Sequence, residues 1–145
     1  MSALRQLELR RAIAGGLDAR RRHLAEVATI DEDLAARQPD LDAARAAKER
    51  AESAYVALKH ADYRPTDYGK MGHPGFEHGE EHPDTIGPKA ALDAAVARLA
   101  DLEQIDKVLH ERRQAQTEFL AAGAAQLGEW QRELDRLTAP VAVAP

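Results

Sequence analysis

The sequence predicts an all-α fold, a long antiparallel helical hairpin of coiled-coil type whose two arms are joined by an irregular tip loop. Helix-favouring residues dominate, apolar residues recur every seven positions along two stretches of similar length, and a Pro- and Gly-rich segment separates these stretches. Only 4% of the 145 residues are aromatic, so we do not expect a thick globular core. We therefore treat residues 1–145 as a single helical domain.

The first arm is predicted over residues 3–61. A heptad frame with Ile13 at position a places apolar residues at nine of fourteen a and d positions. Leu17 and Leu24 widen this stripe at the adjacent e position. Pro39 falls at the outward f position, and we expect it to kink the arm or to break it tightly, with the arm continuing in roughly the same direction. The alternative is a three-helix bundle in which the chain folds back at Pro39.

The second arm is predicted over residues 88–138. Pro88 suits the first helical turn, and Pro140 lies just beyond the end of the arm, in a short apolar tail of residues 139–145. A frame with Leu92 at position a places apolar residues at ten of fourteen a and d positions. A pattern sustained over seven heptads favours a helix over a strand or a loop.

Charged residues interrupt the seam, by which we mean the a and d positions of both arms. If the hairpin folds about its loop, residues whose numbers sum to about 150 face each other, which places Arg37 opposite Arg113 and Asp106 near Lys48. Polar seam residues can determine register and partner choice at a cost in stability. The alternative is that the long Arg and Lys side chains extend out of the seam into solvent.

The predicted tip loop covers residues 62–87 and is too rich in Gly and Pro to be regular. His73, His78 and His82 lie there among acidic residues, a ligand set that suits zinc or another divalent metal. Gly79 and two prolines disfavour the helical turn that would hold such ligands, so we predict no metal and no other cofactor. Four large side chains of the loop are predicted to contact a partner: Tyr63, Tyr68, Met71 and Phe76.

Three apolar residues flank the stripe of the second arm. Val96, Ile105 and Phe119 occupy e and g positions, beside the seam rather than in it. A face wider than a two-stranded seam is normally covered by further helices, from a copy of the same chain or from another protein. We therefore predict protein partners, with a homo-oligomer or a large assembly, and we assign these three residues to the contact.

Composition also limits the class of activity. The chain has no cysteine, no phosphate-binding glycine motif and no nucleophile elbow, and a thin hairpin offers no pocket that excludes water, so we predict that it is not an enzyme. Six arginines stand against two acidic residues in residues 1–25, which suits an anionic partner. We interpret these arginines as a solvated helical face and do not expect nucleic acid to bind.

These features predict a non-enzymatic structural or adaptor component of a larger protein assembly, with a virus or phage particle as one example. The arms would oligomerise and the loop would dock. One alternative is a helical chaperone or scaffold, and another is a metal- or nucleic-acid-binding protein. No signal peptide or transmembrane segment is recognisable, so we expect a cytoplasmic protein or one within a virion-like assembly, away from membranes.

Overall fold

The computed structural model describes residues 2–62 and 83–140, which form two long helices. Helix α1 spans Ser2–Asp62 and helix α2 spans Pro83–Thr138. The helices run antiparallel and pack against each other, and no strand occurs in this part of the chain. The predicted all-α helical hairpin is therefore confirmed.

The residues of the two helices group into two compact units. Unit 1 combines Met1–Leu34 with Val108–Pro145, and unit 2 is Ala35–Lys107. Each unit contains a part of α1 paired with a part of α2. The two units are described separately below.

The predicted heptad frame accounts for burial along both helices. In α1, thirteen of the fourteen predicted seam positions are buried or half-buried, and the exception is Arg20. In α2, thirteen of fourteen are likewise buried or half-buried, and the exception is Gly123. The frame extends toward the start of α2, because Thr85 and Pro88 occupy the preceding a and d positions and are buried and half-buried. The seam therefore follows the sequence pattern closely.

Helix α1 continues through Pro39, so the alternative three-helix bundle is not observed. A proline inside a helix removes one hydrogen bond and costs roughly 3 kcal/mol. Close to Pro39, Leu41 and Ala44 are buried against Leu99, with 2%, 4% and 7% of their surfaces exposed. Burial of one leucine contributes about 1.5–3 kcal/mol. The packing of unit 2 thus offsets the local cost of the proline.

Helix α2 begins at Pro83, earlier than the predicted start at Pro88. Residues 83–87, assigned to the loop from sequence, are therefore helical. Pro83 suits this position because the first residue of a helix needs no backbone N–H donor. In unit 1 the numbers of paired residues sum to between 138 and 144, below the expected value of about 150.

Candidate interaction surface

Two ion pairs join the g positions of α1 and α2 in unit 1. Arg5 donates hydrogen bonds of 2.8 and 3.0 Å to the carboxylate of Glu133, and Arg112 donates one of 2.6 Å to Glu26. The hydrogen bond from Arg5 lowers the pKa of the Glu133 carboxyl below its usual value and raises the pKa of Arg5 itself. The g positions between the two pairs carry no charge. The g side of unit 1 is thus an uncharged stretch with an ion pair at each end.

Arg37 and Arg113, the two seam arginines predicted to face each other, each have a hydrogen-bond partner on the opposite helix. Arg113 donates hydrogen bonds of 2.6 and 3.4 Å to the carboxylate of Asp31, and this interaction raises the pKa of Arg113. Arg37, in unit 2, donates from Nη2 to the backbone carbonyl of Leu102 at 3.3 Å. Its Nε is buried without a hydrogen-bond partner among the described residues. Each arginine therefore has a partner on the opposite helix within its own unit, and the predicted facing of Arg37 and Arg113 stays a prediction.

The predicted pair of Lys48 with Asp106 lies in unit 2. Lys48 and Asp106 are both half-buried, and their pairing stays a prediction. Beside the seam, Arg45 approaches Glu103 at 3.9 Å, and both residues occupy e positions. In unit 1 two ion pairs join g to g, and here the pair joins e to e, which is the arrangement that an antiparallel heptad pair produces.

A polar layer crosses the seam of unit 1. His23 and Gln116 occupy d positions on opposite helices, and the His23 Nδ1 donates to the Gln116 Oε1 at 2.5 Å. The ring of Phe119 stacks on the imidazole of His23, with ring centroids 5.4 Å apart and planes inclined by 22°. Phe119 nevertheless remains 57% exposed. One face of its ring is therefore available to another molecule.

Next to Phe119 the seam opens into a notch of about 120 Å³. A Cβ added at Gly123 would meet no heavy atom within 4 Å, whereas one added at Gly16 would lie 2.6 Å from the Leu127 Cδ2. The residues that matter most for the notch are Gly16, Ala19, His23, Phe119, Gly123 and Trp130. A cavity of about 150 Å³ can hold benzene, so the notch suits one ring or one branched side chain.

Seam positions are expected to be buried, but Arg20 and Gly123 are exposed. Both residues line this notch. Glycine inside a helix is about 0.5–1 kcal/mol less favourable than alanine. The open space around Gly123 shows that close packing does not require a glycine there. The notch is thus a place where the two helices leave apolar surface uncovered at the seam itself.

The apolar residues predicted to flank the seam are exposed. Val96 is 42%, Ile105 46% and Phe119 57% exposed. Leu17 and Leu24, at e positions of α1, are 44% and 48% exposed. These five side chains are the large apolar groups at e and g positions that the described residues leave accessible.

The predicted loop contacts Tyr63, Tyr68, Met71 and Phe76 lie outside the described residues. The same holds for the three histidines considered as metal ligands: His73, His78 and His82. Both predictions therefore stay as they were made from sequence.

The notch and the polar layer were not identified from sequence. The heptad frame contains His23, Gln116, Gly16 and Gly123 as ordinary d positions, and nothing in one helix alone shows that they meet. The sequence does contain a signal for both features, because two glycines and two polar residues at d positions are unusual in a seam of leucines.

Comparison of the chain with models of protein families, with curated proteins and with solved structures finds no match. Within residues 2–62 and 83–140, no group of three or more His or acidic side chains is arranged to hold a metal ion. Neither described helix contains a stretch long and apolar enough to cross a membrane. The geometry of the helix pair is therefore the basis for the functional proposal.

Proposed function

We propose that the protein is a non-enzymatic structural or adaptor component of a larger protein assembly, in which its helices bind helices of other chains. The observation that supports this proposal is the set of exposed apolar side chains beside the seam. Among the described residues, ten large apolar side chains are exposed and only six apolar residues are buried. Single exposed apolar residues are common, but apolar groups at e and g positions indicate that further helices cover the pair.

The e side of unit 1 illustrates such a face. The heptad frame aligns Leu17 and Leu24 on α1 with the small residues Ala14 and Ala28 at neighbouring b positions. The small side chains on either side of the two leucines allow another helix to approach closely. Arg21, whose side chain is 81% exposed, occupies the b position between Leu17 and Leu24, at the centre of this face. A partner helix with an apolar stripe and an acidic residue facing Arg21 fits this combination.

A purification experiment tests the proposal with two matched variants. The full chain carries a tag in its native source, is crosslinked gently, and its co-purifying proteins are quantified. We expect a stoichiometric partner, whose recovery falls with Leu24→Glu because a charge then enters the contact. Leu4→Glu is the control, since Leu4 is 62% exposed on the same helix but occupies an f position, away from the seam.

The outcomes separate the alternatives. Many proteins in substoichiometric amounts, released equally by both variants, would favour the helical chaperone. If no protein co-purifies with the wild-type chain, or if both variants retain every partner, the proposal fails.

In the same proposal the loop provides a second docking contact. Replacing Tyr68 and Phe76 with Ser should reduce partner recovery, because these residues carry the largest apolar groups that the loop can bury. The control replaces His73, His78 and His82 with Ala, which should leave both recovery and the melting temperature unchanged. Loss of stability in this control together with loss of a bound metal would contradict the docking interpretation and favour a metal site.

A further inference from the structure

We infer that two copies of the chain associate through α2, with the helices antiparallel about a two-fold axis between residues 119 and 122. The contact face consists of c and g positions in the unit 1 part of α2. This inference rests on the proposed function and names one partner within it, a second copy of this chain. In this arrangement Phe119 of each copy reaches the notch of the other.

The face has the composition of a close helix contact. Its six central residues are Arg112, Ala115, Phe119, Ala122, Gln126 and Glu129. All are exposed except Ala115, which is half-buried. Two alanines beside one phenylalanine allow the backbones to approach while one large ring fills the space between them.

The order of residues along this face is complementary to itself. In an antiparallel two-fold pair, the register that sets Phe119 opposite Ala122 of the second copy also sets Arg112 opposite Glu129. Each large residue then meets a small one and each cation meets an acid, twice per dimer. A shift by one heptad toward the C-terminus would instead bring Arg112 against Arg136 of the second copy, and a shift the other way would leave Arg112 against Ala122.

The Arg112 side chain can hold both carboxylates. Its Nη2 already donates to Glu26 of its own chain at 2.6 Å. A guanidinium group has five N–H donors, so donors remain for Glu129 of the second copy. The ion pair inside the chain therefore orients Arg112 for the contact between chains.

The exposed ring of Phe119 in one copy fits the notch of the other copy. One face of its ring stacks on His23, while 57% of the residue is exposed. The notch of about 120 Å³ lies beside Gly123, next to the residue that faces Phe119 of the second copy. Two rings would thus enter two notches symmetrically, which gives a use for the open space at Gly123.

The other apolar face of unit 1 does not pair with itself in this way. An antiparallel register that sets Leu17 opposite Leu24 brings Arg21 onto Arg21 of the second copy. Like charges directly opposite each other are destabilising. We therefore assign self-association to the α2 face and leave the Leu17 and Leu24 face to a different protein.

Cysteine substitution tests the surface, since the natural chain has no cysteine. Ala121 and Ala122 are both exposed neighbours in α2, but their side chains point about 100° apart around the helix. With a short bis-maleimide, Ala122→Cys should give a covalent dimer in good yield. Ala121→Cys, the matched control, should remain largely uncrosslinked.

A charge exchange tests the register independently. Arg112→Glu and Glu129→Arg should each weaken dimerisation by about tenfold, because each places two like-charged pairs in the homodimer. An equimolar mixture of the two variants should recover near wild-type affinity as a heterodimer, in which both pairs are again complementary. Circular dichroism of each variant checks that its helices remain intact.

The outcomes distinguish this inference from the proposed function. A dimer in which both cysteines crosslink alike, or neither does, overturns this surface, as does failure of the mixed variants to recover affinity. A chain that stays monomeric at high micromolar concentration in light scattering overturns the inference as well. The proposed function then still stands or falls by the proteins that co-purify with the tagged chain.

Discussion

Units 1 and 2 use the same two helices and the same heptad frame, yet they fill the seam differently. Unit 2 contains an aliphatic cluster in which Leu41 and Ala44 pack with Leu99. Unit 1 instead sets His23 against Gln116 in mid-seam. A seam with polar layers gives up packing energy but gains hydrogen bonds that depend on one register. Unit 2 therefore contains the buried aliphatic cluster that stabilises the helix pair, whereas the polar layer of unit 1 depends on one register.

Unit 1 is not polar throughout. Leu9 and Ile30 of α1 are each only 1% exposed, and Leu109 of α2 is 8% exposed. Along α1, the first two residues lie on either side of His23. The polar layer and the notch are therefore bounded by well-buried apolar positions, which hold the helices together while the middle of unit 1 stays open.

The largest expected effect is in the aliphatic cluster of unit 2. Leu41→Ala should lower the free energy of unfolding by about 2–4 kcal/mol, because a buried leucine loses its contacts and leaves a cavity. Leu24→Ala in unit 1 is the control, and since Leu24 is 48% exposed its effect should stay within about 0.5 kcal/mol. Urea unfolding followed by circular dichroism measures both. Equal effects would contradict the burial of Leu41 in this cluster.

The proline in unit 2 provides the next largest effect. Pro39→Ala should raise the free energy of unfolding by about 1–3 kcal/mol, because it restores a backbone hydrogen bond in the continuous helix α1. Pro140→Ala, beyond the end of α2, should change it little. The same unfolding experiment applies. An unchanged free energy of unfolding in Pro39→Ala would mean that Pro39 does not destabilise α1.

Substitutions of two glycines in unit 1 should change the stability by smaller amounts, and in different directions or degrees. Gly123→Ala should stabilise the chain by about 0.5–1 kcal/mol, since the new methyl group meets no neighbour and alanine favours the helix. Gly16→Ala should stabilise less or destabilise, because its methyl group would displace Leu127. Thermal unfolding of both variants decides the order. The reverse order would contradict the position of the notch.

The smallest effect concerns the exposed ion pair of unit 1. Because Arg5 lowers the folded-state pKa of Glu133, this group stabilises the fold above the usual pKa of a glutamate and loses that contribution as the pH falls through its folded value. Glu133→Gln should therefore melt slightly below the wild type at pH 7. The difference should close as the pH falls from the usual pKa of a glutamate through the lowered pKa of Glu133. The control is Glu32→Gln, which removes a carboxylate at an exposed f position and leaves the contact between Arg5 and Glu133 intact.

The sequence by itself determined the helical class, the buried face of each helix and most of the helix ends. Residues 3–61 were predicted for the first arm, and α1 spans Ser2–Asp62. The predicted end of the second arm at Thr138 is also observed. These features follow from one helix at a time, because a seven-residue apolar repeat defines the same stripe whatever packs against it.

Tertiary structure decided the features that depend on two distant parts of the chain. The continuation of α1 through Pro39 accompanies the burial of Leu41 and Ala44 against Leu99. The early start of α2 at Pro83 comes shortly before the buried Thr85. The notch exists only because the register brings Gly123 and Phe119 of α2 beside His23 of α1. A heptad repeat is compatible with several registers that differ by whole turns, and only the fit of particular side chains across the seam selects one of them.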